Sequence, residues 1–344
     1  MARRRTFDAW ARMFQRSLTA ITGSVLRENS RQVTRALKPL RARSPQLRPL
    51  TQGSGDWIPG VALGPTGARR FRLYRPSDVK FGERLPLMVM LHGCGQTADS
   101  FAASTRMNRI ASRERFLVLY PEQDRLANAQ GCWNWFDTKS GRARGEAALI
   151  LRAIDQVCLL HPVDRGRVAL VGLSAGASMA SLLATAHPER FKAVVMHSGV
   201  PPGRAHSAIS ALGAMQGGRT RAPLKATPLA LSVTWPPLLV IHGAADAVVS
   251  LENARAAAQM WSDAGSAAHA GSERTVRRGN RYPMTVTDFK EGRRTVATLV
   301  EVERLGHAWS GGAGKQPFSD AQGPDASRLA WAFVARQFRA QGAA

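Results

Sequence analysis

Five short apolar runs, each closed by a turn residue, constrain this chain more than any other feature. They read LPLMVMLHG (85–93), FLVLYPE (116–122), RVALVGLS (167–174), FKAVVMHSG (191–199) and PPLLVIHG (236–243). Strands covered on both faces of a parallel sheet are continuously apolar, whereas half-exposed strands alternate. Between the runs lie stretches of helical character at about 100–114, 145–160, 175–187 and 252–264. Buried strand alternating with helix is the pattern of an α/β protein: a mostly parallel central sheet with helices on both faces. ARRFRLYRP (68–76) adds a strand of period two. TVTDFKEGRRTVATLVEVERLGH (285–307) predicts a hairpin turning at EGR and a last strand. DASRLAWAFVARQFRAQ (325–341) predicts a closing helix begun by an acidic cap residue. Residues 203–232 are small, polar and weakly patterned, and they carry no assignment.

At 344 residues and 44% apolar content the chain can bury a sizeable core. Residues 1–50 stand apart from it. They hold twelve basic and two acidic residues and so supply +10 of a net charge of +24. Phe7, Trp10, Phe14, Leu18, Ile21 and Val25 recur every three or four residues, which on a helix makes one apolar stripe opposite arginines. Such a helix either docks on the body or lies on an anionic or hydrophobic surface, and both readings stand at this stage. KPLRARSPQLRPLTQGSGDWIPG (38–60) reads as an irregular linker. The expected division is a basic amphipathic segment and linker over 1–50 and one α/β domain over 51–344.

Only seven of the 48 basic residues are lysines. The arginine excess fits either a partner of negative charge or a GC-rich genome writing arginine into solvated faces. No run approaches the ~18–20 apolar residues that span a bilayer. The N-terminus lacks the continuous apolar core of a secretion signal, so a cytoplasmic location is expected, with secretion by a less obvious signal as the alternative. Three cysteines (Cys94, Cys132, Cys158) without zinc spacing point to no metal site, and no cofactor motif is present.

The run at 167–174 ends in GLSAG, which is GxSxG placed between a buried strand and a helix. In that setting the pattern reads as a nucleophile elbow, with Gly172 and Gly176 letting strand and helix approach around a strained Ser174. A serine hydroxyl is a poor nucleophile until a base takes its proton, and a carboxylate must hold that base in one tautomer. On this architecture the partners follow in the order acid, then histidine. His307, on the glycine-rich loop of ERLGHAWSGG after the last strand, is the expected base. Asp246, in HGAADAVV past the preceding strand, is the expected acid. His197 and His242 close strands before that acid, and His187, His206 and His269 lie at a helix end or in polar loops. Acyl transfer also needs N–H donors for a developing oxyanion. The expected donors are the amides of Ala175, after the serine, and Cys94, in VMLHGCGQ. His92 is expected to be a structural hydrogen-bonder of that loop.

The segments LHGCGQ, GCWNWF, RVALVGLSAGASMASLLATAHPERFKAV, HGAADAVV, GHAWSGG and GPDAS occur in the order seen in the polyhydroxybutyrate depolymerase family of serine esterases. Over roughly residues 68–338 the chain resembles that family, which also includes feruloyl and acetylxylan esterases. The resemblance implies the α/β-hydrolase fold, a Ser174–Asp246–His307 triad, an oxyanion amide on Cys94 and a cleft near Trp133 and Trp135. Gln96 and Trp309 are expected substrate contacts as well. It also implies that Cys94 and Cys132 approach closely enough to pair if oxidised, leaving Cys158 as a buried thiol.

The expected activity is hydrolysis of short-chain poly- or oligo(3-hydroxyalkanoate) esters through an acyl-enzyme, in an intracellular enzyme able to associate with granules. The alternatives are a carboxylesterase on small acyl, feruloyl or acetyl-carbohydrate esters and a non-catalytic granule-surface protein. A nucleic-acid binder is suggested by charge alone, and no nucleic-acid motif accompanies it.

Overall fold

The computed structural model describes residues 54–218, 234–265, 269–271 and 273–340. The amphipathic segment 1–50 and residues 219–232 of the weakly patterned stretch lie outside them.

The described residues build one large sheet of strand order β1-β2-β4-β3-β5-β6-β7-β11-β10-β8, in which β8 is His269–Ala270, with β9 (Arg274–Val276) paired to β10. β3 (Leu85–Leu91), β4 (Leu117–Pro121), β5 (Val163–Leu173), β6 (Ala193–His197), β7 (Leu238–Gly243) and β11 (Arg294–Val302) run parallel to their neighbours in this central block. The five apolar runs are five of these strands, and their buried pattern is continuous, as parallel strands covered on both faces require. Antiparallel strands close the two edges. β1 (Gly55–Gly64) and β2 (Gly67–Pro76) form a hairpin on one side, and β10 (Met284–Glu291) pairs β11 on the other.

Alternate residues of each strand face opposite layers. Met88 and Met90 of β3, Val118 and Tyr120 of β4, and Ala169 and Val171 of β5 join one core cluster. It also contains Phe101, Met107 and Ile110 from the helices Ala98–Thr105 and Met107–Glu114, and Phe333 and Phe338 from the helix Ala326–Ala340. The helices Arg142–Leu160, Ala175–Ala186 and Glu252–Ala264 complete the fold. This is the α/β architecture that the pattern predicts, in the α/β-hydrolase form that the resemblance implies.

Two local readings change. The helix expected over 100–114 is two helices, broken at Arg106 with φ 56°. The Arg106 amide caps the first by donating to Ala102 O at 3.0 Å, and its guanidinium reaches the Gly311 carbonyl, so a tertiary contact stabilises the break. The stretch GDWIPG, read as linker, belongs to edge strand β1. Pro59 is tolerated because an edge strand has one side free of ladder bonds. Gly60 is needed because a Cβ there would meet the Phe71 ring at 2.2 Å.

Every parallel strand of the central block ends at the same rim of the sheet. Chain segments leaving β3, β5, β6, β7 and β11 therefore converge there, where ligand sites of open α/β sheets form.

Candidate active site

Ser174 stands between the end of β5 and the helix Ala175–Ala186 with φ 55° and ψ −122°, a backbone that non-glycine residues avoid. Its amide donates to His197 O at 2.8 Å, which ties the turn to β6. A Cβ on Gly176 would stand 2.1 Å from Leu91 O and 2.5 Å from His92 O, and one on Gly172 would stand 2.3 Å from the Gly176 carbonyl carbon. Only glycines permit the helix start to lie this close to β3 and β5. That contact is what the GxSxG spacing encodes here.

Three loops bring the remaining groups to the serine. His307 Nε2 lies 2.9 Å from Ser174 Oγ, and His307 Nδ1 lies 2.8 Å from Asp246 Oδ2. Asp246 has no exposed side-chain surface, and its Oδ1 accepts from the amides of Val248 and Val249, each at 2.9 Å. Burial works against its charge. The facing His307 imidazole, the nearby His242 and the Val249 amide outweigh burial and hold the carboxyl well below its usual range. The acid loop and the histidine loop support each other directly. Ala244 N donates to Val302 O at 2.8 Å and Ala245 N to Leu305 O at 3.1 Å, while a Cβ on Gly243 would collide with Leu305 O at 2.1 Å. With Asp246 accepting from Nδ1–H, Nε2 is left to accept the serine proton.

The 92–96 loop completes the constellation. A Cβ on Gly93 would lie 3.5 Å from Ser174 Cβ, so this loop abuts the serine. Within it Gly93 N donates to Gln96 Oε1 at 2.9 Å, Gly95 N to Gln130 O at 2.9 Å and Gln96 N to Gly93 O at 3.3 Å. Among the described residues the Cys94 amide has no such acceptor, and the Ala175 amide opens a helix, where no intrahelical acceptor exists. Gln96 is 4% exposed, and its Nε2 is buried without a hydrogen-bond partner. The arrangement thus offers a hydroxyl, a base, a buried carboxylate and unused N–H donors around one point, which is the equipment of acyl transfer.

A buried polar network, invisible to motif reading, holds this loop. Cys94 is disulfide-bonded to Cys132. His92 Nδ1 donates to Gly93 O at 2.8 Å while its Nε2 accepts from Gln123 N at 3.1 Å. Trp133 Nε1 donates to His92 O at 2.9 Å. Arg69 reaches Gln123 Oε1, and Gln123 Nε2 donates to Glu146 at 2.7 Å and to Cys132 O at 2.9 Å. Glu146 also accepts from the backbone and side chain of Asn134 at 2.9 and 2.6 Å. One signal for Arg69 was present in ARRFRLYRP: at period two it shares the face of Phe71 and Leu73, both buried, and is itself 2% exposed.

Two expected substrate contacts are placed elsewhere. Trp133 is fully buried, with the Arg69 guanidinium 5.1 Å from its ring centre, and supports the 92–96 loop from beneath. Trp309 is fully buried, donates from Nε1 to Ser327 Oγ at 3.1 Å and stacks on His197 at 5.0 Å. A ring with no exposed surface cannot touch a substrate, so both act as supports. Trp135 is 8% exposed and packs edge-on against Phe136.

The remaining strand-end histidines are structural. His197 Nε2 accepts from Ser310 N at 3.1 Å and anchors the loop that carries His307. His242 Nε2 donates to Val249 O at 2.9 Å and stands 3.5 Å from Asp246 Oδ2.

A family model described as Esterase PHB depolymerase matches residues 70–280, a span that includes Ser174 and Asp246 and stops before His307. Poly(3-hydroxyalkanoate) depolymerase C of Paucimonas lemoignei is 29% identical over 236 residues, which are 67% of this chain and 56% of that protein. Feruloyl esterase B of Neurospora crassa is 31% identical over 131 residues, 38% of this chain and 44% of that protein. The chain thus spans about half the length of these curated relatives. An acetyl xylan esterase from Aspergillus awamori shares the fold, with a TM-score of 0.55 at 20% identity over 74% of this chain and 94% of its own.

The buried histidines make stability depend on pH. Burial, ahead of every other influence, lowers His92 to about 4 and His197 to about 3 from the usual 6.5. Between those values the unfolded chain binds protons that the folded chain refuses, so stability is full above about pH 6.5 and falls as pH drops. Urea denaturation at pH 7.5 and pH 5 is expected to show a loss of about 4 kcal/mol at the lower pH, summed over the two sites. Equal stability at the two pH values would contradict the neutral, buried state of both rings.

Proposed function

This chain belongs to the Esterase PHB depolymerase family, and we propose that it is a serine ester hydrolase acting on short-chain poly- or oligo(3-hydroxyalkanoates). The observation that carries this reading is the continuous hydrogen-bonded line from Ser174 Oγ through His307 to Asp246, at 2.9 and 2.8 Å. Ser174 attacks the ester carbonyl as its proton passes to His307 Nε2. Asp246 holds the imidazole in the reactive tautomer and balances the charge of the imidazolium. The amides of Cys94 and Ala175 and the Nε2 of Gln96 take the developing oxyanion. His307 then returns the proton to the leaving alcohol, and water releases the acyl group by the same route in reverse. No step calls on a metal or organic cofactor.

The Paucimonas lemoignei relative supports a hydroxyalkanoate polyester as substrate, and the Neurospora crassa relative supports a small feruloyl ester as the second reading. A non-catalytic granule protein is disfavoured, because such a role gives no reason to keep a strained serine aligned with a buried His–Asp pair.

Hydrolysis of amorphous polyhydroxybutyrate granules, soluble oligomers, p-nitrophenyl butyrate and methyl ferulate ranks these substrates. Ser174→Ala, His307→Ala and Asp246→Asn are each expected to lower kcat/KM by roughly 10⁴-fold on the preferred substrate, with losses in double variants that do not add. Gln96→Glu keeps the acceptor for the Gly93 amide but places an anion beside the oxyanion, and is expected to lower kcat by roughly 10²-fold. A Ser174→Ala protein keeping about a tenth of wild-type activity sinks the assignment.

The apolar and arginine faces of residues 7–25 support a role as anchor to the substrate surface. Deleting residues 1–50 is expected to leave p-nitrophenyl butyrate hydrolysis intact while granule binding falls and loses salt sensitivity. Unchanged granule binding at every salt concentration ends that idea.

The compartment is also part of the proposal. The Cys94–Cys132 bond favours secretion over the cytoplasmic location, since reducing compartments keep such pairs open. Thiol alkylation of the protein taken directly from its native cells is expected to label Cys158 alone after unfolding. Labelling of all three cysteines would return the protein to a reducing compartment.

A further inference from the structure

A second concave site lies outside the catalytic constellation. It is a cleft of about 510 Å³, and six arginines line it: Arg106, Arg109, Arg113, Arg278, Arg281 and Arg328. Its floor is apolar, with Ile110 and Met284 buried and Leu329 half-buried beside Pro324. None of its lining residues belongs to the triad or the 92–96 loop. Its arginines come from three separate parts of the chain: the two-helix stretch 98–114, the segment before β10 and the helix Ala326–Ala340.

Charge decides what such a cleft can hold. Among the described residues two carboxylates pair with the six guanidiniums: Asp325, 3.6 Å from Arg328, and Glu114, 2.8 Å from Arg113. Six positive charges less two negative ones leave +4 around one concavity. Two of the arginines are fixed by backbone carbonyls. Arg106 donates to Gly311 O, and Arg281 donates to Ala321 O and Gly323 O. These bonds orient the guanidinium groups without neutralising them. The Arg109 and Arg278 guanidiniums have no hydrogen bond or ion pair among the described residues, and both are exposed. Like charges gathered on low-dielectric walls raise the local potential and recruit a counter-anion. The basic segment 1–50, at +10, carries the wrong sign to supply it.

We propose that this cleft binds an organic di- or triphosphate. A single carboxylate would leave most of the charge unanswered, whereas two or three phosphate groups match it. Planar guanidinium groups suit phosphate oxygens because each presents paired N–H donors. The apolar floor of Ile110, Met284 and Leu329 takes the organic part, and the volume is that of a small-ligand site. Arg106 joins this cleft to the Gly311 carbonyl, four residues beyond His307, so the ligand sits against the loop that carries the base.

The test is calorimetric titration of the full chain with tripolyphosphate and with adenosine triphosphate, at low and physiological salt. The variant is Arg109→Ser with Arg278→Ser, two exposed side chains without partners. The control is Arg125→Ser with Arg152→Ser, which removes the same charge from exposed positions elsewhere. Saturable one-to-one binding is expected, with adenosine triphosphate at least as tight as tripolyphosphate. The cleft variant should bind roughly tenfold or more weakly and the control less than about twofold. Equal weakening in both variants would mean general attraction to a basic protein and would overturn the site, as would the absence of saturable binding. Vesicles containing phosphatidic acid form the last arm. If they bind through Arg109 and Arg278 while the soluble phosphates do not, the ligand is a membrane headgroup and the proposal fails.

Discussion

The site depends first on one backbone contact, the start of the helix Ala175–Ala186 against β3 and β5. At Gly176 the separation leaves no room for a Cβ, and at Gly172 the same holds within the turn itself. Because helix and sheet are packed this closely, the residue between them has no choice but the strained conformation at φ 55°. The strain is borne by a continuous parallel sheet whose interior is close-packed and resists relaxation. A serine so placed is 9% exposed yet keeps its hydroxyl aimed at the rim where His307 waits. Loosening the contact would cost the geometry before it cost the fold.

Around that turn, polar groups are buried in quantity, and most of them have partners, the Gln96 Nε2 being an exception. Arg69 is an expensive side chain to bury, and burial lowers its pKa even though Glu146 and Asp124 pull the other way. The chain accepts this cost where it fixes the 92–96 loop, through Gln123, Asn134, Trp133 and the Cys94–Cys132 bond. Donors held rigidly before a reaction need no reorganisation during it, so this support suits the role proposed for the loop's amides. Trp133 serves this purpose through His92 O, while Trp309 packs on His197 beside the loop that carries His307.

Arginine therefore does two different things in this protein. At Arg69 it is desolvated, paired and structural. At Arg109 and Arg278 of the cleft it is exposed and without an ion-pair partner among the described residues, so that the same residue type there leaves its charge unanswered. Composition records only the sum. The distinction comes from whether a guanidinium ends buried among acceptors or exposed among its own kind.

The sequence by itself determined the central strands, most helices, the elbow and the order of the groups around it. These depend on local signals: continuous apolar runs, helical spacing, and a serine between glycines where strand meets helix. Asp246 and His307 were legible because strand ends of a parallel sheet share one rim, so a residue just past a predicted strand has a predictable place. Edge strand β1 was misread because its proline and glycines carry loop chemistry, and only pairing with β2 makes them strand. The break at Arg106, the burial of Trp133 and Trp309, the Arg69–Gln123–Glu146 network and the arginine cleft were decided by tertiary structure alone. Each joins residues tens to hundreds of positions apart, and no local period encodes which distant side chain will arrive to satisfy, cover or crowd another. Local energetics choose the elements; the partners of a buried charge are chosen only when the elements pack.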